Sequence, residues 1–331
     1  MFVTPNYTVA VIFCIITMLC WGSWANTQKL AAKSWRFELF YWDYVLGILC
    51  CALVFAFTLG SFGAGGRTFV TDLGQADISS LGSAFLGGVI FNIANILLVA
   101  AIAIAGMAVA FPVGIGLALV IGVIVNYLKL PVGNPELIFG GVGLVVLAIL
   151  LNATAYRNQS KGKGSVSGKG LLLSIICGCL MGLFYKYVAG SMFTNFDVPE
   201  PGKLSPYTAV VIFGVGVFVS NFIFNTILMK RPITGNPVSY SDYFNGSFKS
   251  HLTGILGGII WCTGLSFSII ASDKAGPAIS YGLGQGATVI AALWGIYIWK
   301  EFRDASKNTR LILNMMLLFY VAGLALLIAA R

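Results

Sequence analysis

The stretch YWDYVLGILC (41–50) sets one carboxylate, Asp43, among aromatic and aliphatic side chains, and the next charged side chain after it is Arg67. A carboxylate is costly to keep ionised inside an apolar run, so one found there reads as a group that gains and loses a proton during function. The neighbouring Tyr41, Trp42 and Tyr44 allow a second reading, a belt residue at a membrane interface. Lys186, in LFYKYVAG, is the one basic residue well within an apolar run. It can bind a carboxylate or carbonyl of a solute, pair with an acid, or extend its amine to the nearer surface. Asn92 and Asn95 are three apart, and Asn221 and Asn225 four apart, so each pair shares one helix face. Paired amides suit a polyhydroxy or amide-bearing ligand, and they equally suit hydrogen bonds between helices. Gln285 stands between glycines in YGLGQGA. Trp21, Trp24 and Trp261 offer flat faces to a sugar or heterocycle, or else anchor the chain at an interface.

Several chemistries find no support. GKGSVSGKG has neither the spacing nor the flanking strand of a phosphate-binding loop, so an ATP-driven pump is not indicated. The seven cysteines all fall in apolar runs and read as small packing residues. Cys177 and Cys179 are two apart and do not share a helix face. No pattern of a hydrolase, a kinase, a metal site or a resident cofactor is present, so no catalytic role is assigned. Asp273–Lys274 reads as a structural turn, His251 as a surface residue, and WKEFRD (299–304) as a charged turn.

The elements that must position these groups follow from composition. The chain has 331 residues, 58% hydrophobic and 9% charged. A soluble domain carries roughly 25% charged residues, so this much apolar surface calls for a lipid bilayer. Ten apolar runs are visible: 8–28, 39–60, 80–103, 107–128, 137–154, 170–190, 206–229, 252–272, 276–298 and 309–330. Each is long enough to cross, or nearly cross, the hydrocarbon at ~20 residues per span. Each must be helical, because lipid offers the backbone no hydrogen-bond partners. The fold class is an all-α polytopic membrane protein. The first run lacks a basic leader and a small-residue cleavage site, so no removable signal peptide is expected.

The net charge of +9 would point to nucleic acid in a soluble protein. Here the basic residues fall between runs and set orientation instead. One side holds Lys29, Lys33, Arg36, Arg157, Lys161, Lys163, Lys169, Lys230, Arg231, Lys249, Lys300, Arg303, Lys307 and Arg310. The other holds Arg67, Lys129, Lys203, Lys274 and Arg331. The richer side is expected in the cytoplasm, with both termini outside. The segment RNQSKGKGSVSGKG (157–170) is rich in Gly, Ser and Lys and reads as a flexible linker. The organisation is a first five-helix unit (1–154), a cytoplasmic linker (155–169) and a second five-helix unit (170–331).

The two units resemble each other. Shifted by 170 residues, LGGVIFNIANILLVAAIAIAGMAVAFPVGIG (86–116) aligns without a gap on LGGIIWCTGLSFSIIASDKAGPAISYGLGQG (256–286). Gly87, Gly88, Gly106, Gly114 and Gly116 meet Gly257, Gly258, Gly276, Gly284 and Gly286. A weaker match at a shift of 160 brings Gly22 onto Gly182 and Asn26 onto Lys186. On that match, Asn26 and Lys186 are expected to face one cavity from the two halves. Five helices is an odd number, so the second unit enters the membrane from the opposite side. An inverted repeat of this kind puts a solute site near the midplane, with access alternating around it.

Ten helices in two inverted fives look like the drug/metabolite transporter superfamily. Within it, WGSW, YWDY, LGGVIFNIAN, VIGVIVNYL and the C-terminal LWGIYIWKEFRDASKNTRLILNMMLLFYVAGLALLIAA resemble the ureide permeases and the glucose/ribose/rhamnose porters. The resemblance runs through most of the chain and is loosest in the sixth and seventh runs. It implies a proton-coupled importer of small, mostly neutral polar solutes in the plasma (bacterial inner) membrane, and it places Asp43 at the family's YWDY acid. The short linker departs from the long central loop of plant ureide permeases. The expected partners are a small solute, a proton and the bilayer. Asp43 is the expected proton-coupling group. The expected solute site is Trp21, Asn26, Asn92, Asn95, Lys186, Asn221, Asn225, Trp261 and Gln285. A monosaccharide and a ureide or nucleobase both fit that set. An exporter of drugs or metabolites is the alternative, and a non-transporting scaffold a third reading.

Overall fold

The computed structural model describes every residue except 32–34, 106, 160–167, 234 and 301, and omits the side chains at 107–109, 111, 112 and 159. The middle of the expected linker, with Lys161 and Lys163, and Lys33 of the first basic cluster lie outside the described residues.

The described residues form helices, with one isolated β-bridge between Met192 and Leu204. The ten apolar runs become α1 (Tyr7–Ser23), continued by a tighter turn over Trp24–Leu30, α2 (Phe37–Phe57), α4 (Ile78–Ala105), α5 (Met107–Lys129), α6 (Pro135–Gln159), α7 (Gly168–Ser191), α8 (Pro206–Lys230), α10 (Phe248–Ala275), a broken span, and α13 (Lys307–Ala329). The broken span comprises α11 (Pro277–Gly284), α12 (Ala287–Leu293) and a wider turn over Trp294–Ile298. Two short helices add to the connections, α3 (Phe69–Gln75) and α9 (Tyr240–Phe244). Neither has an apolar run long enough to stand out in the sequence.

Nine helical segments among the described residues are long and apolar enough to cross a membrane, and Val113–Lys129 of α5 supplies a shorter apolar helix. Large apolar side chains such as Val54, Phe222, Leu318 and Val321 point outward, as a lipid-facing surface requires. Local chemistry sets the ends. Ser205, Ser247 and Ser306 accept the backbone N–H three residues on and so cap α8, α10 and α13. Between α10 and α11 the chain reverses at Gly276, whose φ of 81° suits glycine, and Pro277 then opens the next helix.

The bundle is held by close glycine contacts, and these occur in matching sets. A Cβ on Gly88 of α4 would collide with Phe213 O and stand 2.9 Å from Val217 N on α8. A Cβ on Gly258 of α10 would collide with Tyr44 O and stand 2.8 Å from Ile48 N on α2. Gly216 meets Phe85 O, as Gly47 meets Ile255 O. Gly182 of α7 meets Ile121 and Ala118 O, as Gly22 of α1 meets Ile290 and Ala287 O. The partner residues in each pair of contacts are 169 or 170 apart along the chain. Small residues let helix backbones approach where lipid supplies no hydrophobic drive.

Candidate functional site

The centre of the bundle holds a cavity of about 140 Å³. Its walls come from α1 and the turn that continues it, α4, α5, α7, α10 and the broken span. Trp21 and Trp261 stack with ring centroids 5.9 Å apart and planes at 14°. The Trp21 indole N–H donates to the Trp261 carbonyl at 3.2 Å, which locks the pair. Phe91 packs 4.2 Å from Trp261, and Phe184 and Trp24 complete the aromatic lining. Gly284 lets the chain pass this stack, since a Cβ there would stand 3.0 Å from the Trp21 ring.

The polar part of the lining is small: Asn95, Gln285 and Thr288. Gln285 sits at the break between α11 and α12, where the helix interrupts itself next to a cavity. Among the described residues its side chain has no hydrogen-bond partner. Asn95 donates through Nδ2 to the Tyr41 hydroxyl at 3.2 Å. Among the described residues no charged side chain lines this cavity.

Two further chambers lie toward opposite ends. One, of about 150 Å³, includes Asn26, Lys29, Asn152, Tyr156 and Trp299. It shares Gly22, Ala25, Thr288 and Ala291 with the central cavity and continues it toward the end where α6 stops and α7 starts. The other, of about 210 Å³, includes Asn126, Lys129, Lys186, Glu200 and Lys203 at the far end. Two fully buried tyrosines tie α5, α7, α10 and α11 together. Tyr281 donates to Ala118 O or Met181 O, each at 3.2 Å, and Tyr185 bonds Ser268 and Ser280 at 3.1 and 2.9 Å.

The expected site residues therefore divide. Trp21, Asn95, Trp261 and Gln285 meet at the central cavity. Asn26 lines the adjoining chamber, and its Oδ1 accepts from the Trp299 indole at 2.7 Å. Lys186 lies in the far chamber, so it and Asn26 do not face a common cavity. Asn92 is turned to α8, donating to Ser220 Oγ at 2.8 Å and Val217 O at 3.3 Å. Asn225 donates to Glu38 O at 2.9 Å. Asn221 is fully buried, neither of its polar atoms has a partner among the described residues, and it lies outside the cavity lining. These three asparagines belong to the packing of α2, α4 and α8.

Asp43 is 1% exposed and stands apart from the cavity lining. Its two oxygens lie 2.9 and 3.0 Å from His251 Nδ1. The Tyr243 hydroxyl donates to Oδ1 at 2.7 Å. His251 is thus the partner of Asp43 rather than a surface residue. Tyr41, Trp42 and Tyr44 are buried against other helices, so they form no interfacial belt. Trp35 and Tyr243 enclose the imidazole, with ring centroids 4.9 and 4.8 Å from it. Burial, then the carboxylate beside it, push the Tyr243 hydroxyl above its ordinary range and keep it a donor. The cluster fastens α9 to the ends of α2 and α10. Gly254 permits it, since a Cβ there would strike Asp43.

No group of three metal-ligating side chains occurs among the described residues, and the cysteines are unpaired. Asp273 and Lys274 pair at 2.7 Å at the end of α10, a structural contact. The signals that sequence reading passed over were Tyr41, Phe91, Phe184, Thr288 and His251. Only Tyr41 carried a hint, as the first residue of YWDY.

The ureide permease family profile matches residues 40–169 and 159–330. Ureide permease 1 of Arabidopsis thaliana is 26% identical, over 96% of this chain and 95% of its own length. The glucose uptake protein GlcU of Bacillus subtilis (strain 168) is 26% identical over 68% of each chain. A solved crystal structure superposes with a TM-score of 0.59 over 96% of both chains at 13% identity, a likeness of fold alone.

Proposed function

The chain belongs to the ureide permease family and is a multi-pass membrane solute transporter; on that premise we propose that it imports a small, polar, uncharged solute by proton symport with alternating access. The observation that carries the solute class is the central cavity. Stacked Trp21 and Trp261 stand over Asn95 and Gln285, and no charged side chain joins the described lining. A charged solute there would lose its hydration without a counter-charge, which is expensive in a low-dielectric interior. A neutral solute meets flat apolar faces and a few oriented amides, the usual composition of a small-molecule pocket. The relatives named for ureides and for glucose each contribute a neutral solute class to this reading.

Alternating access is supported by the matched glycine contacts and by the chambers at opposite ends. Two inverted five-helix units, rocking about the central cavity, would open one chamber as they close the other. In the conformation described, the cavity adjoins the Asn26 chamber, on the side the basic residues assign to the cytoplasm. Asp43 is the proposed proton carrier, acting with the half-buried His251 as a carboxylate–imidazole pair.

A drug exporter remains the alternative, and the lack of an anionic group in the described lining weighs against cationic drugs. The test is uptake of labelled uracil, hydantoin and glucose into proteoliposomes with an imposed pH gradient. Wild type should accumulate one of them above the external concentration, and Asp43→Asn should only equilibrate it. Accumulation by Asp43→Asn at the wild-type level would remove Asp43 from coupling. Wild-type uptake that ignores the pH gradient would sink the symport reading.

A further inference from the structure

We infer that Tyr41 fixes the Asn95 carboxamide as a hydrogen-bond acceptor toward the central cavity, so that a transported solute must present an N–H or O–H donor there. The inference rests on the reading of that cavity as the solute site, and it makes Tyr41 a positioning residue.

The hydrogen-bond relay starts at a backbone carbonyl. Val217 O can only accept, so the Asn92 atom 3.3 Å from it must be the NH2 group. The Ser220 hydroxyl spends its proton on the same carbonyl at 3.1 Å and therefore accepts from Asn92 Nδ2 at 2.8 Å. Asn92 Oδ1 is then turned to Tyr41, whose hydroxyl lies 2.9 Å away and must donate. With its one proton committed, that hydroxyl can only accept from its other neighbour, Asn95 Nδ2 at 3.2 Å. The Asn95 amide is thereby held one way round. Among the described residues its Oδ1 has no hydrogen-bond partner, and the side chain lines the cavity.

Tyr41 and Asn92 are both buried, so water is not available to scramble the relay. Each link is set by the previous one, and the origin is a helix backbone that cannot reverse its polarity. The Trp21 N–H is already given to Trp261 O, so Trp21 offers the solute a face and no donor. Gln285 supplies both donor and acceptor. The described cavity thus asks for a donor at Asn95 and is permissive at Gln285. A solute without a suitable donor would leave a buried acceptor unpaired, and such a site rejects the analogue strongly.

The test uses competition by two planar isomers against labelled uracil, hydantoin or glucose, whichever wild-type proteoliposomes take up. 5,6-Dimethyluracil keeps both N–H donors, and 1,3-dimethyluracil has none at equal mass. The expected result is that the 5,6 isomer competes at least about tenfold better in wild type, the scale of one unpaired buried acceptor. Tyr41→Phe frees the Asn95 amide to turn over, and Asn95→Ala removes the acceptor; each should shrink the ratio to under about threefold while uptake persists. A structural role alone would lower uptake and leave the ratio unchanged. Should Tyr41→Phe fail to fold, Asn95→Ala and the wild-type ratio carry the test. Equal competition by the two isomers in wild type, or an unchanged ratio in both variants, overturns the inference and leaves the transport reading standing. Wild-type liposomes that take up none of the three labelled solutes would overturn the transport reading and this inference with it.

Discussion

The matched glycine contacts give a sharp stability prediction. Gly88→Ala adds a Cβ that collides with Phe213 O, and Gly258→Ala one that collides with Tyr44 O. Ordinary contact starts at 3.4 Å, so in each case the two helices must part. A gap of 0.5–1 Å forfeits roughly a quarter to a half of the dispersion energy of each atom pair across it. Overpacking of this kind typically costs about 1–3 kcal/mol. The helix recovers about 0.5–1 kcal/mol from losing a glycine, which leaves a net loss of up to about 2.5 kcal/mol. Gly82, six residues earlier on α4 than Gly88, is the control, because a Cβ there meets nothing within 4 Å. Gly82→Ala should therefore be neutral or slightly stabilising. The assay is thermal unfolding of the three purified variants in one detergent, followed by tryptophan fluorescence. Gly88→Ala and Gly258→Ala should melt below wild type by similar amounts, with Gly82→Ala at or above it. Two alanine variants that melt like the control would refute the close approach of α4 to α8 and of α2 to α10.

Other perturbations separate the parts of the site. Trp261→Ala removes the face that stacks on Trp21; the half-saturating concentration for the transported solute should rise about tenfold or more, given 0.5–1.5 kcal/mol for aromatic stacking beyond the area lost. Lys186→Gln should leave that concentration within about twofold at physiological salt, because Lys186 lines the far chamber and its reach is limited to about a Debye length of 8 Å. His251→Gln removes the imidazole from Asp43 and should cost about 1.5–3 kcal/mol of thermal stability, the range for a hydrogen bond to a charged group. A melt unchanged by His251→Gln would mean the pair contributes nothing to holding α9.

The spans were legible because lipid imposes one rule on every segment. The run at 206–229 became α8 at Pro206–Lys230, since Ser205 and Pro206 announce its start and its backbone has no partner but itself. The shift of 170 was legible because glycine is retained where backbones touch, and Gly88 and Gly258 do touch their partners in equivalent ways. The neighbours of a face were not legible. Asn92 and Asn95 share a face by spacing, yet Asn92 is spent on α8 and only Asn95 lines the cavity. Periodicity names a face and leaves open which helix meets it. The same limit hid the contact between Asp43 and His251, which are 208 positions apart. Lys186 was misplaced for another reason. The weak match at a shift of 160 paired it with Asn26, yet the two line different chambers, and a match between sequences says nothing of which chamber a side chain enters.

On the function proposed here, the Trp21–Trp261 cavity carries a neutral solute across the membrane. Counterflow tests it most directly. Proteoliposomes loaded with unlabelled uracil, hydantoin or glucose are diluted into a trace of the same labelled compound, with no ion gradient imposed. Transient accumulation of label is expected for at least one of the three, abolished by Trp261→Ala and kept by Lys186→Gln. Accumulation that survives Trp261→Ala unchanged would contradict the assignment of this cavity, and accumulation seen only with a cationic dye would contradict the solute class.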